Sequence, residues 1–323
     1  MKRVHADSLK RIAAVLACFL ALAGNTGREA FAADGTVLRK YLAESGLPNA
    51  WIKGLFRDGN RLLVSYPGGT VAWDPSEGKF VPFSPGKGFV GSFVTGFADF
   101  GGKTYVASEA ALNVREGGKW TSLDRFQQVQ HAEELLYTDG KTLYALARVM
   151  FGGVLRYDGN AWAIVDRGSG TGIMNNATSV LTRGDEIYIG TTTNGLYYFN
   201  GKEWKVFTTE QGMPGVWVTS LAETAEGVWV GCYNGLVLFQ DGKIRKYTTA
   251  DGLPSNKISV LKVIKDKLVI GTMDGGMSIK ARNLFVNVTM EQGLTDNRIE
   301  AIGAADEGAW VGTVNGLNLV EVR

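Results

Sequence analysis

An all-β fold is what this sequence predicts: a seven-bladed β-propeller of four-stranded antiparallel blades, and three observations predict it. First, an opening glycine recurs at Gly46, Gly88, Gly172, Gly212, Gly252 and Gly293, with Gln128 in the remaining slot, so the period is 40 to 44 residues. Second, about 19 positions into each unit a small residue follows an aromatic or aliphatic pair, at Ser65, Ala107, Gly190, Gly231, Gly271 and Gly312, with Leu146 in the third unit. Third, the last unit stops after its third strand, while Leu38-Arg39-Lys40-Tyr41 matches Ile244-Arg245-Lys246-Tyr247. The N-terminal strand is therefore expected to complete the last blade and close the ring.

From the start of the chain, residues 1–32 read as a signal peptide and residues 33–323 as one propeller domain. Lys2, Arg3, Lys10 and Arg11 form a basic front, IAAVLACFLALAG is the apolar run, and Ala30-Phe31-Ala32 is a small-x-small cleavage site. The run is shorter than the roughly 20 residues of a membrane span, and it continues past Cys18, so cleavage after Ala32 is expected in place of lipidation. The leader carries five of the 34 Lys and Arg and two of the 32 Asp and Glu, which leaves 29 against 30. Bulk charge thus gives no reason for binding nucleic acid or an anionic membrane.

Within each unit four short strands are expected. In the fourth they are ATSVLT, EIYIGTT, GLYYF and EWKVFTT. Asn-Gly and Asp-Gly pairs at Asp139, Asp158, Asn194, Asn200, Asn234, Asp241 and Asn315 suit type I′ hairpins, which need positive φ at both central residues. A blade tapers towards the axis, and Gly54, Gly96, Val180, Ser220, Val260 and Ala301 are expected as equivalent positions of the innermost strand. Phe80, Trp120, Trp162, Trp204, Ile244 and Phe285 belong to the wide outer strand, where large side chains fill the gap between blades.

Chemistry-bearing residues are sparse. His5 lies in the leader and His131 stands alone, which excludes a His-rich metal site. No nucleotide-phosphate loop, HExxH or EF-hand pattern occurs, so no cofactor is indicated. Cys232 is the one cysteine outside the leader and is expected to be a small buried side chain with no disulfide.

Two sets of loops share one end of a propeller, those leading from one blade into the next and those joining second and third strands. By analogy with other propellers, binding is expected there. Five positions after the opening glycine stand Trp51, Phe93, Ala177, Trp217, Lys257 and Arg298; His131, Arg148 and Tyr233 belong to the same loops. The candidate ligand-binding residues are accordingly Trp51, Phe93, His131, Arg148, Trp217, Tyr233, Lys257 and Arg298. Rings and cations at one end suit stacking and anion holding; the alternative is that the rings plug the mouth and the cations are solvated. Glu109, Glu133, Asp274 and Glu300 are the acids available for a glycosidase-type pair, but the sequence brings no two together.

The recurring G-[LM]-P-x-N followed by [WY]-[IV]-G-T-x-x-G-[LI] is fullest at Gly252-Leu253-Pro254-Ser255-Asn256 and at Trp310-Val311-Gly312-Thr313 with Asn315-Gly316-Leu317. It resembles the two-component-regulator propeller repeat of extracytoplasmic sensor regions in bacterial hybrid histidine kinases. The resemblance implies a sensor-type, non-catalytic propeller, here stand-alone without kinase modules. Because the motif residues are structural, it transfers no site. With the leader, it leads to the expectation of a periplasmic or secreted module that recognises a small molecule, glycan or protein partner at the channel mouth. Two alternatives stand beside it: a polysaccharide hydrolase or lyase using acids on that face, and a protein-interaction scaffold or assembly factor.

Overall fold

The computed structural model describes residues 35–123, 136–147, 153–165 and 176–323. The expected signal peptide, His131, Glu133 and Arg148 lie outside them. Seven four-stranded antiparallel sheets form the blades. In blade 5, Val218–Thr224, Gly227–Cys232, Gly235–Gln240 and Lys243–Tyr247 follow one another from the axis outwards. The other innermost strands are Gly54–Asp58, Val94–Phe100, Leu136–Thr138, Ala177–Arg183, Ile258–Ile264 and Ile299–Ala304. Among the described residues the helical elements are four 3₁₀ turns.

Val37–Tyr41 is the outer strand of blade 7, antiparallel to Gly316–Glu321, as the terminal match predicts. Blade 7 then packs on blade 1, with Ile299–Ala304 against Gly54–Asp58. Both terminal blades thereby gain a neighbour on each face, which is what hydrophobic blade faces need in water.

The small second-strand anchors have a packing cause. A Cβ on Gly190, Gly231, Gly271 or Gly312 would lie 2.4, 2.8, 2.7 or 2.6 Å from a methyl of Val218, Ile258, Ile299 or Ile52 on the next blade. Those four branched side chains are fully buried, and each such burial contributes about 1.5–3 kcal/mol. The core is consequently a series of layers between blades. Leu181 and Tyr188 of blade 4 join Val218 and Val230 of blade 5, and Val269 and Ile279 of blade 6 join Ile299 and Val311 of blade 7.

The opening glycines have a different cause. Gly212, Gly252 and Gly293 end 3₁₀ turns at φ 98, 102 and 110°, a left-handed conformation that a Cβ disfavours. Each turn begins with a capping box, in which the Thr208, Thr248 or Thr289 hydroxyl accepts from the backbone while Gln211, Asp251 or Gln292 accepts from the threonine N–H. Leu42 holds the threonine position before Gly46 and provides no side-chain cap.

Two expectations need correction. In blade 4 the small innermost position is Ser179, not Val180, because Ser179 pairs with Gly190, which stands one residue nearer its opening glycine than Gly231, Gly271 and Gly312 do to theirs. Of the expected type I′ turns, Asp241-Gly242 alone has both residues at positive φ, 51 and 77°. Asn200 instead accepts from the backbone N–H groups of Lys202 and Glu203, and Asp139 and Asp158 accept likewise from residues two and three further on. A side chain that captures two N–H groups makes an Asx turn, which leaves the first residue outside the left-handed region.

Candidate ligand-binding face

One end of the ring carries the loops that enter each blade beside those joining its second and third strands. The N–H of Tyr233 donates to the carbonyl of Trp217 at 3.0 Å, that of Met273 to Lys257 at 2.9 Å, and that of Glu109 to Phe93 at 3.2 Å. In blade 4 the matching bond runs from Thr192 to Asn176 at 3.0 Å. Asn176, not Ala177, is therefore the fourth-blade equivalent of Trp217, for the same one-residue offset that moves Val180 to Ser179.

The structure gathers the candidates into two clusters. In the first, the Trp217 and Tyr233 rings stack at 4.9 Å and 6° from parallel. Trp217 keeps 42% of its surface exposed. Lys257 Nζ of blade 6 lies 6.0 Å from the centre of the Tyr233 ring and donates to Asp274 at 2.8 Å. The Ser255 hydroxyl donates to the other Asp274 oxygen at 2.5 Å. The hydrogen bonds from Lys257 and Ser255 hold the Asp274 carboxyl below its ordinary range, and Asp274 in turn raises the Lys257 ammonium. Both groups are thus charged near neutrality.

The second cluster joins the last blade to the first. Glu300 accepts from Arg298 Nε at 2.7 Å and from Lys53 Nζ at 3.0 Å. Lys53 also sits 4.0 Å from the centre of the Trp51 ring, within cation–π range, and Trp51 is 38% exposed. Phe93 stands apart in blade 2. There Glu109 accepts from the backbone N–H groups of Ser92 and Phe93 and from the Ser92 hydroxyl. Burial pushes the Glu109 carboxyl up, and those donors more than reverse it.

Lys53 is a site residue that motif reading passes over, although the register contains the signal. The bulge residue of the innermost strand is Thr95, Thr178, Thr219 or Ser259 in four blades. It is Glu300 in blade 7, and Lys53 immediately precedes the paired Gly54 in blade 1. Opposite charges at this position in the two blades that meet at the seam mark a contact between them. Of the candidate acids described, Glu109 braces a loop, while Asp274 and Glu300 are held by cations. Cys232, beside Tyr233, is fully buried, and desolvation pushes its thiol up to about 12, so it stays protonated and unreactive at neutral pH.

No protein-family model matches the chain, and no curated protein matches it in sequence. Solved structures do match it. The extracellular domain of a protein assigned to a hybrid two component system of B. thetaiotaomicron aligns at TM-score 0.67 and 18% identity, over 90% of this chain and 40% of that one. A second extracellular domain of this kind from the same organism aligns at TM-score 0.70 and 18% identity, over 88% of this chain and 42% of that one. PorZ, a surface component of the type-IX secretion system of Porphyromonas gingivalis, aligns at TM-score 0.57 and 12% identity over 83% of this chain and 46% of its own. This chain spans about two-fifths of the length of the two B. thetaiotaomicron domains. At these identities the likeness is one of fold.

Proposed function

We propose that the chain is a non-catalytic recognition module that binds a glycan at the mouth bearing Trp217, Tyr233 and Lys257. The observation that carries this reading is the parallel-stacked Trp217–Tyr233 pair, whose Trp217 ring is open to solvent beside the Lys257–Asp274–Ser255 group. A flat aromatic face accepts the C–H face of a sugar ring, and adjacent charged groups and a hydroxyl bond its hydroxyls. Trp51, Lys53 and Arg298 present a second ring and two cations on the same end. The extracellular location of the structural neighbours and the signal peptide expected at residues 1–32 support a periplasmic or secreted module of the sensor type. The acids of this face hold loops and cations in place, which speaks for binding over hydrolysis.

Isothermal titration of the exported protein against a panel of soluble oligosaccharides tests the reading. At least one member is expected to bind, and Trp217→Ala is expected to weaken it by roughly tenfold or more, the scale of losing a central aromatic contact, with little change in melting temperature. A panel in which nothing binds, or a Trp217→Ala protein that binds as the wild type does, overturns it.

A further inference from the structure

At the opposite end of the ring lies a cavity of about 410 Å³. The hairpin turns of blades 7 and 1 line it, and residues of blades 2 and 6 complete it, so it spans four consecutive blades. Its walls include Leu55, Phe56, Phe97 and Trp310. Lys262, from the innermost strand of blade 6, projects into this space.

Lys262 breaks the pattern of its position. The residue that pairs two places before the second-strand anchor is Phe56, Ala98, Tyr137, Leu181, Ala222 or Gly303 in the other blades. All six carry no charge, and Gly303 of the adjacent blade contributes no side chain to the space. The other cations of the lining are matched: Arg57 pairs with Asp306 at 3.3 Å and Arg61 with Asp58 at 2.6 Å. Lys262 has no ion pair or hydrogen bond to a described residue. Lys262 is exposed to the cavity, and desolvation by the protein around it pulls its ammonium below the ordinary lysine value. An ammonium without an ion pair to a described residue, set in a cavity whose walls are partly apolar and aromatic, is an anchor for an anion that carries an apolar body.

We propose that this cavity is a second ligand site, taking a small organic monocarboxylate whose carboxylate pairs with Lys262 and whose apolar body lies against Phe97, Leu55 and Trp310. The volume is within the range of small-molecule pockets. A dianion fits less well, because Asp99 and Glu307 also line the space and would repel the second charge. The site stands independently of the glycan reading at the other mouth.

Benzoate is the probe, with benzamide as its neutral isostere. Calorimetric titration of the wild type is expected to show benzoate binding, with benzamide weaker by roughly tenfold or more, the worth of one charge-assisted hydrogen bond. Lys262→Met keeps most of the stem and is expected to lose benzoate binding by a similar factor. In the wild type, the ¹³Cε resonance of Lys262 followed by NMR is expected to titrate at higher pH once benzoate is bound. No benzoate uptake at millimolar concentration, equal affinity in Lys262→Met, or a Lys262 resonance indifferent to benzoate each overturns the proposal.

Discussion

Tyr41 lies opposite Leu317 in the strand pair that joins the two ends of the chain, and its ring touches Trp73, Phe80 and Trp310 at centroid distances of 5.2, 5.8 and 5.5 Å. One side chain thus ties the outer strand of blade 7 both to that blade and to blade 1. Tyr41→Ala removes the ring from a buried aromatic cluster at the seam, and large-to-small changes of this kind cost about 3–5 kcal/mol. Urea unfolding of the variant is expected to show a midpoint lowered accordingly. A midpoint equal to the wild type's would mean that the terminal strand does not hold the ring shut.

Asp58 and Arg115 make the corresponding clasp between blades 1 and 2. Arg115 Nη2 donates to Asp58 at 2.6 Å, and Arg61 donates to its other oxygen at 2.6 Å. Burial pushes the Asp58 carboxyl up, but the Arg115 and Arg61 donors outweigh it, so its folded pKa lies below the ordinary value. A depressed folded pKa stabilises the protein above the unfolded value of about 3.9 and ceases to do so as pH falls through the folded value. Asp58→Asn is therefore expected to cost on the order of 2 kcal/mol at pH 7. The difference from wild type is expected to close as pH falls from about 4 through the folded pKa. Thermal unfolding from pH 7 downwards measures both, and a difference that stays constant over that range contradicts this assignment.

The blade count and the closure were legible because a blade cannot bury its faces alone, so each unit must repeat the residues that meet the next. Gly231 against Ile258 and Gly271 against Ile299 are that requirement written twice. Leu38 to Tyr41 betrayed the closing strand since it solves the same packing problem as Ile244 to Tyr247. The one-residue offset in blade 4 arises because Gly190 stands 18 positions after Gly172, where Gly231, Gly271 and Gly312 stand 19 after their opening glycines, so counting from the glycine lands on Val180 and only the strand register singles out Ser179. At Asn200 and Asp158 the dipeptide does not decide the turn, because it serves two turn types and the choice depends on whether the side chain captures the backbone. At the binding face, rings and cations such as Trp217 and Lys257 stood out by type. The pairing of Lys53 with Glu300 did not, for the two are 247 positions apart and meet only when the ring closes. Lys262 is inconspicuous in the sequence for a related reason: its difference shows only beside the six equivalent residues that the strand registers bring to one level.

The contact of Gly231 with Ile258 offers a test of how blades lean on one another. A Cβ on Gly231 would lie 2.8 Å from Ile258 Cγ2 and 3.4 Å from Ile258 Cβ, and Ile258 is fully buried. Gly231→Ala is accordingly an overpacking change, costing about 1–3 kcal/mol. Ile258→Ala alone empties part of the layer between blades 5 and 6 and costs about 2–5 kcal/mol. In the double variant the methyl that clashes is gone, and the new alanine fills some of the space left by it. The combined loss is therefore expected to fall short of the sum of the single losses by about 1 kcal/mol or more, as coupling between touching residues does. Chemical denaturation of the four proteins gives the cycle directly; strict additivity would mean that the second-strand glycine is small for a reason other than the approach of the neighbouring blade.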